Sequence, residues 1–252
     1  KKYGEVELFA LDGLTTSSPD GGITAYFWQD AQRRIYYSVT AGKEEVIELS
    51  LLGLTMINAD LSAGIESITS YDRADVVKAE YETCLTVSQK DVSCLDYCMQ
   101  REIHLKKGEA GMTILVRVYN DGFAYRYTDV TTGRKDKETV ISEASQIVLP
   151  KDTVTFAGGY SATYEFDYIE RKYSELVNHS GVFNTPVTAC TDKHWLLFSE
   201  SDVYANDISY VKSVLGTNSG SGALNWQFGF KRDPMNEVTD ELASPGHIRI
   251  TE

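Results

Sequence analysis

The chain has 252 residues, 42% of them hydrophobic, with 19 Gly and 5 Pro, a composition that can bury a sizeable core and excludes general disorder. Asp and Glu number 37 against 24 Lys and Arg, and the resulting net charge of −13 disfavours nucleic-acid backbones and anionic lipid as partners. No run of about 18 apolar residues offers a membrane-spanning helix.

Taken from the start, the chain reads as strands almost throughout. Ser18-Pro19-Asp20-Gly21-Gly22 is a turn by composition. It opens a run in which Ile23, Ala25 and Phe27 alternate with Thr24, Tyr26 and Trp28. Residues 33–39 form a second short strand, 46–49 and 51–57 continue the series, and 79–87 reads as a long strand rich in Tyr and Thr. The strongest local signal lies at 112–128, where Ile114, Val116 and Val118 alternate with Leu115, Arg117 and Tyr119. Asn120-Asp121-Gly122 then turns the chain, and Phe123, Tyr125 and Tyr127 alternate with Ala124 and Arg126. Asp-Gly between two alternating runs predicts a hairpin, because both residues tolerate positive φ. Further strands are predicted at 146–149, 153–156, 163–169, 187–190, 195–199, 207–215, 224–230 and 247–250. Residues 74–78 and 199–204 suggest single helical turns. A charged turn at 132–137 and a Gly/Ser loop at 216–222 separate strands rather than domains. Many short strands with closely spaced turns indicate an antiparallel β-sandwich, and nothing splits residues 1–252 into two domains.

The four cysteines, Cys84, Cys94, Cys98 and Cys190, form no CxxC pair and have no His at zinc spacing. One or two disulfides and free buried thiols are both compatible with this count. The first residue is Lys rather than Met, so a processed or trimmed start is expected, with any signal peptide already removed.

Self-sufficient catalytic motifs are missing from the sequence. There is no P-loop, dinucleotide fingerprint, HExxH, EF-hand loop or GxSxG elbow. Gly159-Tyr160-Ser161 begins like an elbow but continues Ala162-Thr163, which leaves Ser161 as a turn residue. His104, His179, His194 and His247 share no spacing. Segment 158–175 gathers Tyr160, Tyr164, Tyr168 and Tyr173 with Glu165, Asp167 and Glu170. If 163–169 is extended, Glu165 and Asp167 share one face, and Tyr164, Phe166 and Tyr168 share the other. Such carboxylates can bind calcium or a sugar hydroxyl, and they can equally form the wet face of an ordinary strand.

The hairpin Arg117-Val118-Tyr119-Asn120-Asp121-Gly122-Phe123-Ala124-Tyr125-Arg126-Tyr127 resembles the R-A-Y-N-D-G-V-A-F-R-Y signature in the N-terminal domain of glycoside hydrolase family 97. Ser18-Pro19-Asp20-Gly21, Leu51-Leu52-Gly53-Leu54, Asn184-Thr185-Pro186-Val187 and 197–202 (LFSESD, against A-I-S-E-A-D) agree with that family in order. The resemblance spans nearly the whole chain. It implies a β-supersandwich of the galactose-mutarotase-like type, packed on a (β/α)8 barrel that carries the catalytic carboxylates. It further implies a bacterial exo-acting α-glycosidase, mainly α-glucosidase or α-galactosidase, with inverting and retaining members. The family's active site holds a calcium ion, and one ligand is a Glu from a Y-E segment of the N-terminal domain. Tyr164-Glu165 matches that segment, which makes Glu165 the expected calcium ligand and Asp167 the fallback. Gly158-Gly159-Tyr160 departs from the Trp and Asn that many members place nearby.

On this resemblance the chain ends near the linker to the barrel. A glycosidase needs two positioned carboxylates, so the chain alone is expected to be inactive, with no catalytic residue of its own. The expected partners are the barrel and an oligo- or polysaccharide, and the expected location is the periplasm, cell surface or medium. Two rivals stand beside this reading. A free-standing carbohydrate-binding sandwich would bind saccharide through Tyr and Trp faces. A mutarotase-like isomerase would need a His beside a carboxylate in one cleft.

Overall fold

The structure, a computed structural model, describes residues 2–3, 6–11, 14–70, 75–82, 93–133, 138–161, 163, 165–200, 213–218, 221–228 and 247–248. Its strands in chain order are β1 (Lys2–Tyr3), β2 (Val6–Ala10), β3 (Thr16–Ser17), β4 (Ile23–Asp30), β5 (Ile35–Ala41), β6 (Glu44–Leu52) and β7 (Leu54–Met56). Next come β8 (Ser67–Ser70), β9 (Asp75–Glu82), β10 (Ser93–Lys107), β11 (Ala110–Tyr119), β12 (Phe123–Thr131), β13 (Glu138–Glu143) and β14 (Gln146–Ile147). The last group is β15 (Val154–Gly158), β16 (Tyr168–Lys172), β17 (Gly181–Phe183), β18 (Val187–Cys190), β19 (Trp195–Phe198), β20 (Ser213–Thr217), β21 (Leu224–Phe228) and β22 (His247–Ile248). Helix α1 (Tyr173–Leu176) is a single turn. All strand pairings among the described residues are antiparallel, as an all-β sandwich requires.

Two large sheets face each other. The first has the order β1-β2-β4-β5-β6, with β3 on β4, and the second has β12-β11-β10-β8, with β9 on β10. β5 runs inside the first sheet between β4 and β6, and its residues 35–39 are buried on both faces. The Tyr37 ring crosses to the second sheet, 5.4 Å from Phe123 and 5.8 Å from Tyr125. Its hydroxyl donates to the Gln146 carbonyl at 2.8 Å, so the buried oxygen is satisfied. Around it pack Ile35, Leu52, Ile103, Ile114 and Val116, each at most 1% exposed. Three smaller sheets complete the fold: β22-β13-β7, β14-β21-β20-β17 and β16-β15-β18-β19.

The 112–128 hairpin forms as the sequence indicates, closed by Tyr119 N–H on the Gly122 carbonyl at 2.7 Å. The register sets Tyr119 opposite Gly122 with Asn120 and Asp121 between them, and neither Asp121 nor Gly122 takes positive φ, so the turn does not use the left-handed region. The left-handed residue of this hairpin is Asp129, at φ 51°, where the register with β11 shifts between Gly111 and Thr113. The Asp20 N–H donates to Asn120 Oδ1 at 3.1 Å, joining the turn at 18–22 to the hairpin tip.

Two expectations are corrected, and one strand has none. Residues 75–78, expected as part of a helical turn, belong to β9. Pairing with β10 places Lys78 opposite Tyr97, with its ammonium 6.0 Å from the ring centroid, and this ladder overrides local propensity. The strand expected at 163–169 starts at Tyr168, so residues 165–167 precede the ladder, although exposed Glu165 and Asp167 still flank a part-buried Phe166. β10, the longest strand, carries no sequence expectation at all. The expected segments 83–87, 134–137, 201–212, 229–230 and 249–250 lie outside the described residues.

Candidate functional site

The segment bearing Glu165 and Asp167 is fixed by glycine and proline chemistry. β15 and β16 pair with Gly158 opposite Tyr168, the last rung before the chain bends away. Phe166 folds back onto that rung. A Cβ on Gly158 would stand 1.9 Å from the Phe166 ring, so only glycine leaves room for it. The Phe166 and Tyr168 rings then sit 5.3 Å apart. Glu165 and Asp167 flank Phe166, and both are exposed to solvent. Tyr164 and Ala162 lie outside the described residues.

Asn184-Thr185-Pro186-Val187 braces the same end of the sheet. Asn184 is fully buried, and its Nδ2 donates to the Ser161 carbonyl at 2.9 Å while its backbone N–H donates to the Gly158 carbonyl at 3.2 Å. The Thr185–Pro186 bond is cis, and the Pro186 carbonyl accepts from the Tyr168 hydroxyl at 3.3 Å. β18 continues from this corner and pairs with β19, Val187 opposite Phe198, so Ser199 and Glu200 follow at the same end. Three stretches separated in sequence thus converge at one sheet end: 158–161 with 165–168, 184–187 and 197–200. Ser201 and Asp202 of the last motif are outside the described residues.

Glu143 adds a carboxyl at the end of β13. Burial pushes it up to about 7, against the opposing hydrogen bond from Ser145, and the charge of Glu200 raises it further. Ser145 Oγ is 2.5 Å from the Tyr127 hydroxyl, which accepts the Gly53 N–H at 2.9 Å. Gly53 belongs to the Leu51-Leu52-Gly53-Leu54 motif and Tyr127 to the hairpin signature, so these two motifs meet in one polar knot. No reading of the sequence singles out Glu143, because a carboxylate in an alternating strand looks like any solvent-facing one.

Among the described residues, no group of three or more His, Cys, Asp and Glu side chains could hold a metal ion. Glu165 and Asp167 have the hard oxygen donors that calcium takes, but this segment offers one or two ligands rather than a closed site. Cys94, Cys98 and Cys190 are free thiols, and Cys84 is outside the described residues. His104 and Glu102 approach to 3.6 Å, as do His194 and Glu44, all of them partly exposed. His104 also lines a shallow hollow of about 410 Å³ with Glu109 and Asp129, and its Nδ1 lies 2.9 Å from Thr113 Oγ1.

The architecture and the converging motifs define an antiparallel β-sandwich of the kind found in glycoside hydrolases. The model of the glycosyl-hydrolase 97 N-terminal family matches residues 16–243, and the chain belongs to that family. A probable retaining alpha-galactosidase of Streptomyces bingchenggensis (strain BCW-1) is 30% identical over 166 residues, 66% of this chain and 24% of that protein. Among solved structures, a glycoside hydrolase family 97 enzyme from Pseudoalteromonas sp. strain K8, in complex with acarbose, superposes with a TM-score of 0.68 at 16% identity. That match covers 85% of this chain and 32% of the enzyme. A beta-arabinopyranosidase superposes with a TM-score of 0.70 at 19% identity, over 93% of this chain and 39% of its own. The chain therefore spans between about a quarter and two fifths of the length of these relatives.

Proposed function

We propose that this chain is the non-catalytic N-terminal domain of an exo-acting glycosidase that hydrolyses terminal α-glycosidic bonds, at the periplasm, cell surface or outside the cell. The observation that carries this reading is the family match over residues 16–243, set against relatives of which so small a share is covered. The catalytic carboxylates belong to a following barrel, and this domain supplies interface, pocket wall and one ligand to a shared calcium ion. Glu165 is that ligand and Asp167 the alternative. Supporting this is the placement of Glu165 on an exposed turn that Gly158, Phe166 and Asn184 hold at one sheet end. A bound calcium would hold the carboxylates of the two domains in register and offset their mutual repulsion.

The test is Glu165→Gln in the complete polypeptide encoded by the gene, beside Asp167→Asn. Calcium should raise the thermal midpoint of the parent and of Asp167→Asn, and calorimetric titration should show weakened calcium binding only in Glu165→Gln. Equal calcium affinity in Glu165→Gln and parent would remove Glu165 from the site, and a loss confined to Asp167→Asn would transfer the role to it.

A further inference from the structure

Across β15, β18 and β19, the sheet β16-β15-β18-β19 is largely apolar on both sides. Its inner face is sealed in the core, with Thr155, Val187 and Ala189 fully buried and Ala157 only 3% exposed. An antiparallel sheet whose other face meets water normally turns polar side chains outward. Here the pairing aligns Val154, Cys190 and Trp195 in one outward row and Phe156, Thr188 and Leu197 in the next. Trp195 and Leu197 are 69% and 65% exposed, the two most exposed large apolar side chains among the described residues. Phe156 stacks on Trp195 with ring centres 5.8 Å apart, and Tyr168, 46% exposed, extends the face toward Phe166. Charge enters only along β16, at Glu170 and Lys172, the latter paired with Asp152 at 3.3 Å. A contiguous apolar surface of this kind marks a contact with another folded body.

From this two-sided apolar sheet we infer that its outward face, centred on Trp195 and Leu197, is the seat of the catalytic domain of the same polypeptide. The inference rests on the reading of the chain as an N-terminal domain and adds which surface that domain docks against. Two further observations select this occupant. The face runs directly into the Glu165 turn, so one docked body would cover the apolar rows and meet the carboxylate. A second copy of the chain is disfavoured, because each copy carries a net charge of −13 and the described residues of the face offer no cationic group beyond Lys172 to offset it.

Hydroxyl-radical footprinting read by mass spectrometry tests this, comparing the 252-residue chain with the complete polypeptide encoded by its gene. Trp195 and Leu197 should be oxidised in the short chain, and that oxidation should be lost in the complete polypeptide. A Trp195→Ala, Leu197→Ser double variant of the complete polypeptide should regain rapid protease cleavage between domains, while the same variant of the short chain should melt as its parent does. Equal oxidation of Trp195 in both lengths overturns the inference. Protection in the short chain that tracks its concentration assigns the face to self-association, and protection of the short chain by maltotriose assigns it to sugar, each overturning it too. If the complete polypeptide turns over an aryl α-glycoside yet leaves Trp195 oxidised, only the docking face is wrong. If no longer polypeptide is encoded, the reading of the domain itself fails.

Discussion

The raised carboxyl of Glu143 couples stability to pH. Its carboxyl ionises near the ordinary 4.5 in the unfolded chain and near 7 in the folded one, because burial disfavours the charge. Between those values the folded state holds a proton that the unfolded state has released. Its contribution is therefore fully present below about 4.5 and is lost as pH rises through about 7. Burial also raises Glu48, which adds to the same trend. The thermal midpoint of the parent should fall between about pH 5 and pH 8 more steeply than that of Glu143→Gln, followed by circular dichroism across that range. Parallel curves for the two proteins would place the titration elsewhere.

At the scale of elements, the signature hairpin is tied to the chain before it by one hydroxyl. Tyr127 accepts the buried Gly53 N–H and bonds Ser145, so β12 is anchored both to the junction of β6 and β7 and to the segment after β13. Tyr127→Phe leaves the ring in place but strips Gly53 N–H of its acceptor, which should cost about 1–3 kcal/mol in urea unfolding with an unchanged m-value. A loss well under about 0.5 kcal/mol would mean that water replaces the hydroxyl.

What the sequence reveals at this scale follows the same physics. β4 and the 112–128 hairpin are legible because their apolar residues alternate against a single core. β10 is not legible, since one face of it passes from core to solvent along its length. Ile103 and Leu105 on that face are buried, whereas Leu95 and Tyr97 are 51% and 37% exposed. Between them stands Arg101, a charge in an inward position, which breaks the expected pattern. It is 5% exposed, its Nε donates to Thr16 Oγ1 at 2.8 Å, and its Nη2 donates to the Thr15 carbonyl at 3.3 Å. A buried guanidinium satisfied from another strand is a tertiary fact with no local trace. The Glu165 turn fails as a strand for a related reason. The Phe166 ring seats on the backbone of Gly158, a contact eight residues back that alternation cannot encode. The motif order carried by the resemblance, by contrast, corresponds to contacts. The turn at 18–22 touches Asn120, Gly53 touches Tyr127, and Asn184 braces Ser161.

At the scale of the whole molecule, the family match assigns the chain to the N-terminal domain of larger hydrolases, and the described residues hold a sandwich with one single-turn helix rather than a barrel. Cleavage of a glycosidic bond requires an acid and a base or nucleophile on opposite sides of it, roughly 5–9.5 Å apart. On the proposed reading those groups lie on the domain that covers the Trp195 face, and Glu165 reaches them only through a shared ion. The most direct measurement is the hydrolysis of an aryl α-glucoside and an aryl α-galactoside, with calcium present, by the pure 252-residue chain and by the complete polypeptide of its gene. The complete polypeptide should turn over at least one substrate, and the 252-residue chain should show none above buffer. Turnover by the chain alone, at a rate that survives further purification, would contradict the proposed division of labour and return catalysis to the sandwich.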